Sequence, residues 1–170
     1  MAITLDGTLN QISVTNGVPN ITLDSTGRVT TPNKPHAICK MVAGNSGSQT
    51  ALGNPSTLIP TNVLKNVGSV YNSSNGYFTA PVTGLYEINF HSDVYTASAS
   101  GWIRVRNYIN GTLYTDHYSD KVASTWQYMM THDLMYLNVG DYVYLVLDTS
   151  SGTIGADYNN YTLISFALQG

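Results

Sequence analysis

The sequence predicts an all-β protein, a sandwich or barrel over about residues 33–170 preceded by a short β arm at residues 1–32. Three observations carry this. Short runs alternate apolar and polar residues with a period of two, clusters of Gly, Ser and Asn separate them, and no stretch holds the 3.6-residue apolar stripe of a helix. Composition agrees. Hydrophobic residues make up 42%, enough for a packed interior, while only 10% are charged, and Thr, Ser, Asn and Gly supply the polarity.

The arm comes first. Ile3-Thr4-Leu5-Asp6 recurs as Ile21-Thr22-Leu23-Asp24, and each copy leads through Gly7 or Gly27 into a β-branched stretch, Ile12-Ser13-Val14 or Val29-Thr30-Thr31. The pattern predicts two hairpin-like units, with chance similarity between β-rich stretches as the competing explanation. Neither unit can bury its own apolar face, so a real repeat needs other chains or a host surface. Pro32-Asn33-Lys34-Pro35 then predicts a rigid extended hinge.

Past the hinge, Tyr86, Ile88 and Phe90 alternate with polar neighbours, as a half-buried strand does. The run 102–109 alternates too and meets Asn110-Gly111, a hairpin signal because both central residues must tolerate positive φ. Residues 113–118 form the return strand, and 128–137, 142–147 and 161–168 supply others. The run 142–147 is apolar on both faces. Its outward residues Tyr142, Tyr144 and Val146 are therefore a candidate subunit contact, with cover by a loop as the alternative.

Several function classes find no support. A net charge of −3 and a pI near 5.6 give no field for nucleic acid. No segment has the long apolar run of a membrane span, and the start lacks the basic and apolar regions of a signal peptide, so synthesis in a cytoplasm is expected. Asn-x-Ser/Thr triplets at Asn20, Asn72, Asn110 and Asn160 then reflect composition rather than glycan sites. The single Cys39 leaves no disulfide framework and no Cys-based zinc site, and a small buried hydrophobe is its expected role. His36, His91, His117 and His132 fall at no metal-ligand spacing. In Asp116-His117 and in His132-Asp133 adjacent strand residues point to opposite faces, which argues against a relay within either pair. No catalytic, cofactor or metal residues are assigned. Trp102, Arg104, Arg106 and Tyr108 share one strand face that could bind sugar or phosphate; stacked guanidiniums on a solvated face are the plainer expectation.

Four further stretches carry a resemblance. Gly76-Tyr77-Phe78-Thr79-Ala80-Pro81-Val82-Thr83-Gly84-Leu85-Tyr86-Glu87-Ile88-Asn89-Phe90 combines Phe78, a proline-containing turn and a Gly-x-Tyr-x-apolar-x-Phe run, with Tyr71-Asn72 before it. Tyr108-Ile109-Asn110-Gly111, Leu137-Asn138-Val139-Gly140-Asp141-Tyr142-Val143 and the closing run through Phe166 to Leu168 follow in order, and Pro35-His36-Ala37-Ile38 would open the domain. Together these resemble the globular heads of the complement q-subcomponent, among the tumour-necrosis-factor-like jelly rolls. The opening strand lacks the family's Ala-Phe pair, and Ala167 replaces a common Gly. The resemblance implies a ten-stranded double-sheet jelly roll, a homotrimer and no catalysis. It also makes Phe78, Tyr86, Phe90, Leu137 and Phe166 core positions. Gly84 is expected to let the chain turn into the Tyr86 strand; Gly140 is expected at positive φ, with Asp141 capping the same turn. Trimers of this fold can hold calcium near the axis, though no residue here identifies ligands for it.

Animal members of that family carry a signal peptide and a collagen-like stalk, and this chain shows neither. Its charge-poor texture, its β arm and the stretch 24–32 are instead similar to bacteriophage fibre and head-decoration proteins. The expectation is a trimeric structural protein on the virion surface, the arm docking on the major capsid protein or a tail component and the jelly roll projecting outward. A receptor-binding tail tip for a host surface glycan or protein is the alternative, and a bacterial ligand-binding module the second.

Overall fold

The structure is a computed structural model that describes residues 11–12, 21–23, 29–30, 34–41, 50–52, 54–96, 101–121, 125–150, 154–156 and 162–169. The chain divides into two compact units, Met1–Lys34 and Pro35–Gly170. In the first, β1 (Gln11–Ile12), β2 (Ile21–Leu23) and β3 (Val29–Thr30) form an antiparallel meander in that order. The second predicted hairpin is present, with Thr22 opposite Thr30 and Leu23 opposite Val29. Ile12 pairs with Ile21, which joins the two repeat copies into one sheet. The first copy's residues 3–6 lie outside the described residues, as do Pro32 and Asn33 of the expected hinge and the loop at 44–48.

The second unit contains β4 (His36–Lys40), β5 (Thr50–Leu52), β6 (Ser56–Thr57), β7 (Asn62–Val67), β8 (Tyr71–Asn72), β9 (Tyr77–Thr79) and β10 (Gly84–Thr96). It continues through β11 (Gly101–Ile109), β12 (Thr112–Lys121), β13 (Thr125–Leu137), β14 (Tyr142–Thr149), β15 (Ile154–Ala156) and β16 (Leu163–Gln169). One sheet runs β5-β15-β10-β16-β4-β7, with β13 on the other side of β10; the second runs β12-β11-β14-β9-β8, with β6 also beside β14. Every pairing is antiparallel. This is a double-sheet jelly roll. Its described residues form thirteen strands, against the ten that the resemblance implies.

Alternation fixes the core. Tyr86, Ile88, Phe90 and Val94 of β10 face Ile103 and Val105 of β11 and Val143, Leu145 and Leu147 of β14 across the sandwich, all buried. Phe78, Tyr86, Phe90, Leu137 and Phe166 are each at most 1% exposed. Phe78 stacks on Phe166 at 4.8 Å and meets Tyr86 edge-on at 5.5 Å, contacts worth about 0.5–1.5 kcal/mol each beyond area burial. Cys39 lies in the same core, and burial raises its thiol from the ordinary 9.0 to about 12.

The turns follow their chemistry. Asn110 and Gly111 take φ of 51° and 82° at the β11–β12 hairpin. Gly140 takes φ 88°, and Asp141 caps its own turn by accepting from the Asn138 backbone N–H at 2.8 Å. The Asn110 amide also donates to Asp141 at 2.7 Å and its oxygen accepts from Tyr142 N–H at 3.0 Å, tying the hairpin to the neighbouring turn. Those hydrogen bonds, Asn110 first, hold the Asp141 carboxyl below the usual carboxylate range.

Gly84 stands where the bend at 81–83 leads into the Tyr86 strand. It is the first residue of β10 and is not at positive φ. An added Cβ would fall 2.6 Å from Leu168 Cδ1, the end of a side chain that can move aside.

Candidate functional site

Two outward faces carry the features that could bind something. On the β14 sheet, Trp102, Arg104, Arg106 and Tyr108 point out of β11, and Tyr142, Tyr144, Val146 and Asp148 point out of β14, because their alternate neighbours are in the core. Register sets Tyr77 of β9, Tyr144 of β14 and Tyr108 of β11 at adjacent places on three neighbouring strands. Strands lie about 4.8 Å apart, close to ring-stacking distance. The rings stack accordingly: Tyr77–Tyr144 at 4.9 Å, Tyr144–Tyr108 at 5.1 Å and Tyr77–Tyr142 at 4.8 Å, with interplanar angles of 19°, 7° and 5°. Burial, then the neighbouring phenols, pushes the Tyr144 hydroxyl above its ordinary pKa.

The stack continues into charge. The Arg106 guanidinium lies 5.7 Å over the Tyr108 ring, and Arg104 lies 3.9 Å over Trp102. Arg106 and Arg104 both donate to Asp148 Oδ2, at 2.6 and 2.9 Å, and Arg104 reaches Asp116 at 3.3 Å. The four residues expected on one face are together, and their guanidiniums are stacked. The Asp148 counter-ion and the tyrosines of β9 and β14 are additions that no local spacing announces.

Of the expected subunit contact at Tyr142, Tyr144 and Val146, the chain itself covers the last residue. Val146 is only 7% exposed and pairs with Thr57 of β6, while the two tyrosines are half-buried in the stack. The outer face of the doubly apolar run is thus closed at Val146 and partly open at the two tyrosines.

Beyond Leu113, Tyr114 and Tyr118 of β12, a longer run of exposed apolar side chains lies on the other sheet. The outward side chains of β13 include Trp126, Tyr128, Met130, Leu134 and Tyr136, between 43% and 70% exposed, with Leu85 of β10 beside Tyr136. Among the described strands β13 pairs only with β10, so this stripe follows a free sheet edge. His132 interrupts it and meets Glu87 at 3.1 Å. Glu87 also accepts from Asn89 at 2.9 Å and Gln169 at 2.6 Å, and the Asn89 bond first, then His132, lowers its pKa.

Inward from β13 sits a polar cluster. Asp133 Oδ2 accepts from the Asn107 amide at 2.7 Å and meets His117 Nε2 at 2.7 Å, while the Asn107 amide also donates to Thr115 at 2.9 Å. Asp116-His117 and His132-Asp133 do split across faces. The two inward members then meet, a contact between β12 and β13 that sequence neighbours cannot reveal. It joins the two sheets where both end. Among the described residues no group of three or more His, Cys, Asp or Glu side chains could hold a metal ion, and no helix is long and apolar enough to cross a membrane.

Comparison with known proteins agrees with this architecture. The globular domain of zebrafish complement 1qA superimposes with a TM-score of 0.58 at 17% identity, covering 81% of this chain and 98% of that one. The Eiger TNF of S. frugiperda superimposes with a TM-score of 0.60 at 7% identity, over 81% of this chain and 94% of the other. At such identities the likeness is one of fold. A C1q domain family model matches residues 42–167, the greater part of the chain, and the chain belongs to the C1q domain family.

Proposed function

We propose that the chain is a trimeric, non-enzymatic structural protein of a bacteriophage particle, a capsid decoration or head fibre on the virion surface. The observation that carries the self-association is the apolar stripe of β13. Five large side chains in water along one free edge exceed the scattered exposed hydrophobics of an ordinary monomer surface. The family's fold supports a second copy as their cover. What supports the particle is texture: 10% charged residues, and an N-terminal β meander that forms a compact unit of its own. That arm docks on the capsid or on a tail component, and its ordering entropy is offset by the contact it makes.

Deleting residues 1–32 tests the arrangement. The truncated chain should remain folded and trimeric and should no longer join particles. Truncated protein that still decorates virions would move the anchor to the jelly roll. Mass spectrometry of purified particles of the phage that encodes the chain should find the full-length protein, and its absence would contradict the reading. The aromatic band on the β14 sheet favours a second role, a receptor-binding tip for a host surface glycan or protein. Full-length protein added to particles lacking it separates the two. Raised heat resistance with unchanged adsorption marks decoration; restored adsorption without a stability change marks a tip.

A further inference from the structure

We propose that the stacked row Tyr77–Tyr144–Tyr108 across three strands of the outer sheet, with Tyr142 packed beside Tyr77 and Tyr144, is a binding strip for an extended neutral polysaccharide. This deepens the receptor-tip reading by naming the surface and the ligand class.

The strip's chemistry selects a polyol. The rings lie against one another at 4.8–5.1 Å, so their faces are largely closed to a ligand. What remains is a line of ring edges and phenolic hydroxyls. The hydroxyls of Tyr71 and Tyr86 are committed, donating to the Pro60 and Val82 carbonyls at 2.9 and 2.8 Å, and that of Tyr118 donates to Asp120 at 2.9 Å. Among the described residues no hydrogen bond engages the hydroxyls of the four stacked tyrosines, so each can donate to and accept from a ligand. A line of such groups matches a hydroxyl-rich chain and not a hydrocarbon one.

Charge narrows the class. The Tyr144 phenol is held protonated by burial and by its neighbours. At the end of the row Arg106 and Arg104 are already engaged by Asp148 and Asp116, leaving no unbalanced charge for an anionic polymer. Ring-to-ring spacing repeats at about one strand separation. That suits a polymer whose units recur along the strip better than one small sugar. Mutual stacking also fixes the rotamers in advance, so binding loses little side-chain entropy.

The test is electrophoresis of the full-length protein in native gels cast with a neutral glucan, mannan or galactan, and with an anionic polyuronate as control. The comparison is the double variant Tyr108→Phe with Tyr144→Phe, which keeps both rings and removes two hydroxyls. At least one neutral polymer should retard the native protein and the polyuronate should not. The variant should lose at least tenfold in affinity with unchanged melting temperature and oligomeric mass. Retardation by none of the neutral polymers, or equal retardation of the variant, would overturn the proposal. So would a change in oligomeric mass, which would make the strip a subunit contact. The tip reading fails separately. Protein that coats bacterial cells but ignores every neutral polymer keeps the tip and loses the strip; protein that binds a polymer but no cell surface does the reverse.

Discussion

At the scale of single residues, Gly76 and Cys39 are held by opposite constraints, one of space and one of solvent. Gly76 takes φ 80°, and an added Cβ would fall 2.5 Å from the Leu58 carbonyl oxygen. That obstacle is backbone and cannot swing aside. Gly76→Ala should therefore cost about 1–3 kcal/mol from left-handed strain alone, with the clash added, read as a lower denaturation midpoint. An unchanged midpoint would show that the turn relaxes freely. Cys39 is fully buried, and its pKa is about 12. A thiol reagent at pH 8 should leave it untouched until the protein unfolds, since the thiolate is the reactive form. Stability has a matching pH dependence. The unfolded thiol ionises near 9.0 and the folded one near 12, so this residue's contribution is complete below pH 9 and is lost as pH rises through that window.

At the scale of elements, β13 is the test case. Met130 and Leu134 are 70% and 50% exposed, so Met130→Glu or Leu134→Glu should change the stability of an isolated chain by only about 0.5 kcal/mol. In an assembly that covers the stripe the same charge costs several kcal/mol, about 3 or more. Either variant should sediment as a smaller species while keeping its β-sheet spectrum. A variant that assembles like the parent would place the contact elsewhere. Elements of this kind were legible in the sequence wherever one face is buried, because a period of two then shows. Residues 86–90 are the middle of β10, 102–109 nearly all of β11, and Asn110-Gly111 their hairpin. The short β5, β6 and β15 carry too few residues to show a period. The cover that Thr57 of β6 gives Val146 is therefore a long-range fact that the run 142–147 does not announce. The candidate site divides the same way. Trp102, Arg104, Arg106 and Tyr108 share a face by local parity. Tyr77, Tyr144 and Asp148 join them only through cross-strand register, and so does the His117–Asp133 contact.

At the scale of the whole molecule, the pieces form a division of labour between faces. The sandwich interior holds the apolar core and, at one end, the Asp133 cluster that links β12 to β13. On the outward side of the β14 sheet the tyrosines and arginines of β9, β11 and β14 stack and pair within the chain, which suits a surface that meets a polar ligand, although Tyr118 of β12 stays exposed. The outward side of β13 leaves Tyr128, Met130, Leu134 and Tyr136 at least half exposed, with Trp126 against Tyr95, which suits a surface that meets another copy. Self-association follows from that asymmetry. Light scattering on the purified full-length chain measures it most directly. The expected mass is three times 18.4 kDa at micromolar concentration, falling to a smaller species on Leu134→Glu and unmoved by Tyr108→Phe with Tyr144→Phe. A mass of 18.4 kDa that does not change with concentration would contradict the account.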